Sequence, residues 1–309
     1  GSKNLISKGG WVGITDKYWL AALIPDQRSR IEGGFKAVLK NIERYQAQYT
    51  RNEIFLEKGE TVSVKSNLFI GAKEVDLLDK YSNQLSIEMF DRAVDFGWFY
   101  VITKPLFLLL HKLSDLLGNV GLSILALTVL IRILLFPLAN KSFKSMSKMK
   151  ILTPKMTEIR ERYKTDKLKM QQEIMALYKS EKVNPLSGCL PILIQIPIFF
   201  ALYKVLFVTL ETRHAPFYGW VKDLSAPDPT TIFNFFGLLN FMPPSFLMIG
   251  AWPLLMALTM YLQQKLNPTP PDPIQQKIFM FFPLFLTIIL APFPSGLVIY
   301  WTINNVLTM

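Results

Sequence analysis

The order of apolar and polar positions divides the chain into an alternating N-terminal part and a C-terminal part made of long apolar runs. Residues 1–96 are mixed in charge, and residues 61–65 alternate in the way that is typical of a strand. The glycine at 59 supplies a turn in front of this alternation. The pattern predicts a soluble, β-rich portion, because a half-buried strand turns every second side chain to water.

Five apolar runs in the C-terminal part have the composition of membrane-spanning helices. The first, 120–139, holds a single charge, Arg132, and a helix of this length rises about 30 Å, the thickness of a bilayer's hydrocarbon core. The other four runs are 186–208, 246–264, 278–291 and 295–309. The pattern predicts an α-helical membrane protein with a five-transmembrane-helix core over residues 119–309.

Residues 97–118, in front of these runs, carry their polar side chains on one side. Lys104, His111, Lys112 and Asp115 recur at helical spacing, and the uninterrupted apolar stretch is too short to span a membrane. We interpret this segment as an amphipathic helix in the membrane interface. A buried core helix is the alternative that the pattern leaves open.

The formal net charge of +11 is concentrated in one loop. Residues 140–182 hold 12 Lys and Arg against 5 Asp and Glu, whereas residues 209–232 hold 2 against 3. Because Lys and Arg are retained on the cytoplasmic side, the first loop is predicted to be cytoplasmic. Five spans then place the N-terminal portion in the periplasm and the C-terminus in the cytoplasm. A basic excess beside a span favours anionic phospholipids as partners and argues against direct binding of nucleic acid.

The basic loop is predicted to fold as a cytoplasmic helical hairpin over about residues 149–182. Thr153 and Pro154 have the pattern of an N-cap and first helical residue, and residues 164–166 break the helix before a second one begins. Two interpretations stay open, a solvated positive anchor and a docking surface whose methionines adapt to varied apolar segments. The residues assigned to this surface are Met149, Met156, Arg160, Arg162, Met170 and Met175.

Arg132 lies well inside the first apolar run. Its guanidinium stays charged, and placing it in lipid costs about 2.5–3.5 kcal/mol, so an intramembrane arginine normally faces protein or water. Thr128 precedes it by one turn and Gln195 lies in the second run, which suggests a shared wet cavity. Snorkelling to the headgroups and plain interhelical hydrogen bonding are the alternatives. The last run adds the polar residues Tyr300, Thr302, Asn304 and Asn305.

Few residues could support catalysis or metal binding. Cys189 is the only cysteine, and the two histidines, His111 and His214, are far apart. Ser295 lies in an apolar run without a histidine or lysine on its side to act as its base. We therefore expect no enzyme, no cofactor and no metal site.

Four groups of residues, in the same order along the chain, resemble the bacterial YidC type of the YidC/Oxa/Albino family of membrane protein insertases. They are TVLIR at 128–132, NPLSGCLP at 184–191 with QIP at 195–197, DPIQQK at 272–277 and FPSGL at 293–297. The resemblance is strong over residues 98–309, and residues 9–25 are similar to the closing part of the family's periplasmic domain. It implies that residues 1–96 are the remnant of a periplasmic β-sandwich. The family's first transmembrane helix, most of this sandwich and its basic C-terminal tail are expected to be missing.

The resemblance implies a non-enzymatic insertase and chaperone that guides nascent membrane proteins into the bacterial inner membrane, alone or with the Sec translocon. Its partners would include the ribosome and the targeting machinery. The family's arginine-containing hydrophilic groove, open to cytoplasm and lipid, carries over onto Arg132. The residues that match its other positions are Thr128, Gln195, Tyr300 and Trp301, and we add Asn304 from the polar residues of the last run.

The rival class is a channel or small-solute transporter. Such a protein is expected to show an outer opening or broken helices in inverted repeats, and neither is visible in the sequence.

Overall fold

The computed structural model describes residues 2–39, 43–181, 183–184, 190–241, 243–244, 248–266 and 273–309. The chain separates into two units. The first consists of Gly1–Trp98 with Val208–Glu211, and the second of Phe99–Phe207 with Thr212–Met309.

Six strands form two three-stranded antiparallel sheets in the first unit, in the orders β1-β4-β5 and β2-β3-β6. In β3, alternate side chains from Leu20 to Ile24 are buried, as one-sided packing of a strand requires. The predicted β-rich portion is confirmed. The strands are β1 (Ser2–Lys8), β2 (Val12–Thr15), β3 (Trp19–Ile24), β4 (Arg30–Leu39), β5 (Glu43–Arg51) and β6 (Asn67–Ala72).

Aromatic packing completes the core of the first unit. Helix α1 (Val75–Gln84) and a 3-10 helix at Phe90–Ala93 follow the last strand. The ring of Phe90 is fully buried and meets Trp11 and Phe69 edge-on, at centroid distances of 5.7 and 5.6 Å. This geometry is the favoured one for aromatic pairs and links both ends of the unit's sequence.

The strand predicted at residues 61–65 is wrong. The turn before it exists, because Glu60 N donates to Glu57 O at 3.0 Å across Gly59. Residues 61–65 have no regular secondary structure, and Val62 and Val64 are exposed. A short alternation forms a strand only beside a partner, and the ladder with β3 begins further on, at β6.

The second unit is helical, with α8 at its centre. Nine of the twelve residues of α8 are buried, and it packs against α3 and α6. Helix α2 packs on α3, and α7 packs on α6. The predicted helical core is confirmed. Its helices are α2 (Tyr100–Leu117), α3 (Val120–Arg162), α4 (Lys167–Ser180), α5 (Leu190–Val208), α6 (Ala251–Leu266), α7 (Pro273–Leu290) and α8 (Ser295–Val306).

Helix α2 has the one-sided character predicted for residues 97–118. Thr103, Phe107 and Leu110 are buried at helical spacing. Val101 and Leu116 are exposed although they are apolar. Apolar side chains left uncovered beside a buried stripe fit an interfacial helix, and the position of α2 in a membrane stays a prediction.

Helix α3 begins where the sequence predicts and continues much further. It starts after Asn119, whose side chain accepts a hydrogen bond from Leu122 N at 3.0 Å. It then runs through 43 residues, a rise of about 65 Å. This length is about twice the thickness of a hydrocarbon core, so a large part of α3 lies outside any membrane that it crosses.

The helix start predicted at Thr153 and Pro154 is wrong. Pro154 lies inside α3, and the hydroxyl of Thr153 donates to Met149 O at 3.3 Å instead of capping a new helix. Residues 140–152 are rich in lysine and methionine, two good helix formers, and they carry the helix across the proline.

The number of membrane spans stays a prediction. Among the described residues, α3 is the one helix that is both long and apolar enough to cross a membrane. The apolar stretches Leu193–Val208 and Gln276–Leu290 are shorter, and the twelve residues of α8 rise only about 18 Å. Residues 186–189 and 246–247 of the predicted runs lie outside the described residues.

Helices α3, α6 and α8 begin at the same end of the second unit, which is here called the capped end. Residues 212–231 form a loop that contacts the starts of these helices. Ser295 N, at the start of α8, donates to Ala226 O at 2.7 Å. Asn119, the N-cap of α3, donates its side-chain amide to Pro216 O at 3.3 Å. One loop therefore fixes the starts of helices that are far apart in sequence.

Asp223 stabilises the conformation of the same loop through hydrogen bonds within it. Its Oδ1 accepts hydrogen bonds from His214 N and from Ser225 N and Oγ, at 2.7–3.1 Å. Its Oδ2 lies 3.2 Å from Nδ1 of His214. Partial burial opposes ionisation, but these hydrogen bonds and the histidine lower the pKa of the Asp223 carboxyl below its ordinary value.

Asp228 is the buried centre of the capped end. Its side chain is 3% exposed, and its carboxylate accepts four hydrogen bonds of 2.7–3.1 Å from Thr230 N and Oγ1, Trp220 Nε1 and Trp252 N. Trp252 is the second residue of α6, so the negative charge sits where the helix dipole favours it. Position 250 has to be glycine, because a Cβ on Gly250 would lie 2.5 Å from Asp228 Cγ.

Replacing this carboxylate should weaken the whole capped end. We expect Asp228→Ala to lower the free energy of unfolding by about 1.5–3 kcal/mol, because buried donors lose a charged acceptor. Asp228→Asn is the matched control and should cost less, since it keeps the Oδ1 acceptor. Thermal unfolding in detergent, followed by tryptophan fluorescence, measures the effect. Equal melting temperatures for wild type and Asp228→Ala would contradict this role.

Candidate functional site

Arg132 lies at the packing interface between α3 and α8. Its Nη2 donates to the backbone oxygen of Asn304 at 3.2 Å. Its Nε is buried and has no hydrogen-bond partner among the described residues, and the same holds for Oδ1 of Asn304, whose side chain is 5% exposed. The half-buried guanidinium therefore keeps donors that the described part of the chain does not use.

Helix α5 reaches the same region through Gln195. Its Nε2 donates to the hydroxyl of Tyr300 at 2.5 Å. Tyr300 is fully buried and precedes Asn304 by one turn of α8, so both residues belong to one face of that helix. The structure thereby brings Arg132, Gln195, Tyr300 and Asn304 together from three helices.

Thr128 is placed differently from the prediction that it lines a wet surface. Its side chain is 0% exposed, and its hydroxyl donates to Ile124 O at 2.6 Å. A threonine in an apolar helix commonly satisfies its hydroxyl in this way. Thr128 therefore contributes packing beneath Arg132 rather than a free polar group.

Trp301 also lies apart from Arg132, on the side of α8 that meets α6. Its ring packs edge-on against Phe199 at 4.9 Å and against a buried apolar cluster that includes Met256. Asn305 is on the same side and donates to Thr259 Oγ1 at 3.2 Å. The interhelical hydrogen bonding considered for the last run thus describes Asn305, and Thr259 is the partner that the sequence did not reveal.

No arrangement for catalysis is visible among the described residues. Ser295 is buried, and its hydroxyl donates to Asp223 O at 3.0 Å, which makes it part of the capped end. Within the described ranges, no group of three or more His, Cys, Asp or Glu is placed to hold a metal ion.

The end of α3 and helix α4 form a hairpin at residues 149–181. Asp166 caps α4 by accepting from Lys169 N at 3.0 Å, so the predicted break at 164–166 is confirmed. Met156 is buried between the two helices, where Tyr178 donates its hydroxyl to the Met156 sulfur at 3.5 Å. Burial raises the pKa of Tyr178, and the charge of Arg160 acts in the opposite direction.

The exposed face of this hairpin mixes cations with apolar side chains. Met175, Leu168 and Ile151 are exposed, and Met149 and Met170 are half-buried. Arg162 is exposed at the end of α3, whereas Arg160 is half-buried. Of the predicted docking residues, Met156 thus belongs to the interface between the helices, and the docking surface itself stays a prediction.

Comparison with known proteins accounts for nearly the whole chain. The family model described as "60Kd inner membrane protein" matches residues 112–309, and the one described as "YidC periplasmic domain" matches residues 2–109. The boundary at 109–112 falls within α2, ahead of the long helix α3.

Several curated relatives share more than half of their aligned residues with this chain. "Membrane protein insertase YidC" of Rickettsia rickettsii (strain Sheila Smith) is 58% identical over 304 residues, which are 98% of this chain and 54% of the relative. The protein of the same name from Rickettsia canadensis (strain McKiel) is 56% identical over 308 residues, or 99% of this chain and 55% of the relative. The chain spans about half the length of the curated relatives that it matches.

A solved structure supports the same fold. It is described as "Active YidC insertase crystal structure with the first transmembrane domain resolved" and superposes with a TM-score of 0.53 at 22% identity, over 96% of this chain and 63% of that one. At this identity the likeness concerns the fold alone. With the family model that covers residues 112–309 and the identity to the curated relatives, it leads to one conclusion: the chain belongs to the YidC family of 60Kd inner membrane proteins.

Proposed function

We propose that this chain is the core of a membrane protein insertase and chaperone that guides nascent membrane proteins into the bacterial inner membrane. The observation that carries the proposal is Arg132. A guanidinium that is charged, half-buried among apolar helices and only partly hydrogen-bonded by the described residues is suited to meet a charged group of a substrate. Family membership supplies the context, since its named relatives are insertases.

The proposed mechanism follows from the cost of desolvation. A polar or acidic segment cannot cross about 30 Å of hydrocarbon unaided, and a hydrophilic groove shortens that path. Arg132 would attract a carboxylate of the substrate, because a charge pair is stronger in a low-dielectric site than in water. Gln195 and the α8 residues Tyr300 and Asn304 would form the polar floor of the groove, while the apolar part of the substrate passes into lipid.

The proposed orientation places the hairpin in the cytoplasm and the capped end toward the periplasm. The excess of Lys and Arg at 140–182 supports this direction. Arg132 is twelve residues into α3, about 18 Å from the capped end by helical rise, and so lies nearer the cytoplasmic side of a core of about 30 Å. The N-terminal portion would be periplasmic, and the C-terminus cytoplasmic.

The capped end favours an insertase over a channel or small-solute transporter. A channel needs a polar path through both ends of the bundle. The proposed periplasmic end is filled by Asp228 with its hydrogen-bonded tryptophans and by Phe217, which lies so close to α3 that only glycine fits at position 121. A groove that opens on one side only is consistent with lateral release of substrate.

Further partners are proposed on the family resemblance. They are the Sec translocon, the ribosome and the targeting machinery, with anionic phospholipids beside the basic hairpin.

The Arg132 prediction concerns substrates with acidic outer segments. We expect Arg132→Ala to reduce their transfer into liposomes by about tenfold or more, because a charge-assisted hydrogen bond is worth about 1.5–3 kcal/mol. Arg132→Lys should retain more activity. Lys141→Ala, which removes an exposed charge further along α3, is the control. Equal activity of all three variants would mean that Arg132 only snorkels.

Water access to the groove can be measured separately from activity. In a Cys189→Ala background, we expect Gln195→Cys to react with a water-soluble thiol reagent added from the cytoplasmic side, because Gln195 is only partly buried. Thr128→Cys is the internal control and should resist, since Thr128 is 0% exposed. Protection of both cysteines would rule out a wet groove at Gln195.

The hairpin prediction concerns capture of incoming chains. We expect Leu168→Gln with Met175→Gln to weaken photo-crosslinking of nascent membrane proteins about tenfold, since burying one such side chain is worth about 1.5–3 kcal/mol. Both side chains are exposed, so the fold should be kept. Gln171→Ala with Gln172→Ala changes exposed polar residues of the same helix and serves as the control. Unchanged crosslinking would reduce the hairpin to an anchor.

A further inference from the structure

Residues 232–241, here called the aromatic loop, leave an unusual amount of apolar surface uncovered just after the capped end. Leu238 is 85% exposed. Its neighbours in the loop are exposed as well, and no charged residue occurs between Asp228 and Lys265. The other exposed side chains are Ile232, Phe233, Phe235, Phe236, Leu239 and Phe241. A water-facing loop of this composition would be costly, because each of these side chains orders solvent around it.

Several hydrogen bonds of the aromatic loop are local, within the loop or to the residue before it. Residues Ile232–Gly237 form a kinked segment with non-helical backbone angles at Asn234, Phe235 and Phe236, and Phe236 N donates to Thr231 O at 2.8 Å. Leu239 N donates to Asn234 O at 3.1 Å, and the Asn234 side chain donates to Phe241 O at 3.3 Å. Local pairing of backbone groups is what a segment needs in order to enter a lipid environment, where water does not replace missing partners.

The conformation of the loop turns its rings outward. Phe235 and Phe236 both have left-handed backbone angles, with φ of 51° and 57°, and both rings are exposed. Bulky residues rarely adopt this region of backbone angles. The backbone conformation that turns the two rings outward is therefore sterically unfavourable by itself. Removal of these rings from water offers a reason for such a conformation.

The loop also has a fixed place relative to the helices. Ile232 N donates to Ile249 O at 3.2 Å, so the two ends of the excursion meet directly in front of α6. The exposed apolar residues of α6, among them Leu255 and Leu258, continue the same kind of surface along that helix. The apolar loop is therefore tied to the start of a helix that itself exposes apolar side chains.

We propose that the aromatic loop inserts into the outer leaflet of the membrane, at the boundary between headgroups and acyl chains. Phospholipid is the occupant that fits, because the surface is apolar, uncharged and tied to the start of the exposed apolar helix α6, and interfacial segments bury Phe and Leu at this depth. The inference goes beyond the proposed insertase function and rests on its orientation, in which the capped end faces the periplasm.

Spin labels test the depth of the loop. In a Cys189→Ala background, Leu238→Cys and, separately, Phe236→Cys are labelled with a nitroxide in liposomes of phosphatidylethanolamine and phosphatidylglycerol. Collision with oxygen should exceed collision with a water-soluble nickel chelate several-fold at both positions. Lys222→Cys, an exposed position on the preceding loop, is the matched control and should show the reverse order.

Three results would overturn the proposal. Nickel collisions at positions 236 and 238 as frequent as at position 222 would place the loop in water. Spectra that sharpen on dilution with unlabelled protein would show that a second copy covers the loop. Labelling of Lys222→Cys by an impermeant thiol reagent from the inside alone would reverse the orientation, and this outcome is separate from any loss of insertase activity.

Discussion

A buried carboxylate that receives all of its hydrogen bonds from one end of the bundle sets the arrangement of the second unit. Asp228 joins the loop after α5 to the start of α6. Gly250 leaves room for this contact because it has no Cβ. The same loop holds Ser295 and therefore the start of α8. Because Tyr300 and Asn304 follow Ser295 by five and nine residues of α8, the position of the polar site depends on contacts about 8 and 14 Å away by helical rise.

Asp228, which is buried, and Arg132, which is half-buried, are hydrogen-bonded to very different extents. Asp228 is surrounded by donors from backbone, hydroxyl and indole groups, so its burial is compensated and its position is fixed. Arg132 donates to one backbone oxygen, and its Nε finds no partner in the described ranges. An incompletely satisfied charge is costly to a resting structure, and such a cost is acceptable where an incoming group offsets it. The contrast separates a residue that builds the bundle from one that is suited to bind.

Local signals in the sequence predicted those helix ends that depend on contacts between residues a few positions apart. The start of a run at residue 120 and the break at 164–166 were predicted. The structure adds that Asn119 and Asp166 cap the two helices, because their side chains reach backbone groups three residues on. Thr153 was predicted to be an N-cap but does not cap a helix, because the residues before it already form a helix and its hydroxyl donates to Met149 O. A capping residue identifies a helix start only when the chain before it is not helical.

Contacts between segments that are distant in sequence could not be predicted from these local signals. The sequence shows Asp228 as one acid in a loop, and its role depends on the hydrogen bonds that Trp220 and Trp252 donate to it. The sequence also places the polar residues of α8 in one group, whereas in the structure they lie on two different sides of the helix. Tyr300 and Asn304 meet α5 and α3, and Trp301 and Asn305 meet α6, since residues one apart on a helix point in directions about 100° apart.

The length of α3 connects the two halves of the proposed mechanism. Arg132 and Met156 lie on one uninterrupted helix, and their separation of 24 positions corresponds to a rise of about 36 Å. A fully extended chain covers at most about 3.3–3.6 Å per residue, so a substrate held at the hairpin needs about ten or eleven extended residues to reach Arg132. For a substrate docked on the hairpin as proposed, this spacing would set the least number of residues between the docked segment and the group that meets Arg132. In the proposed mechanism, the continuous helix through Pro154 thus sets this minimum length of substrate and also supports the hairpin.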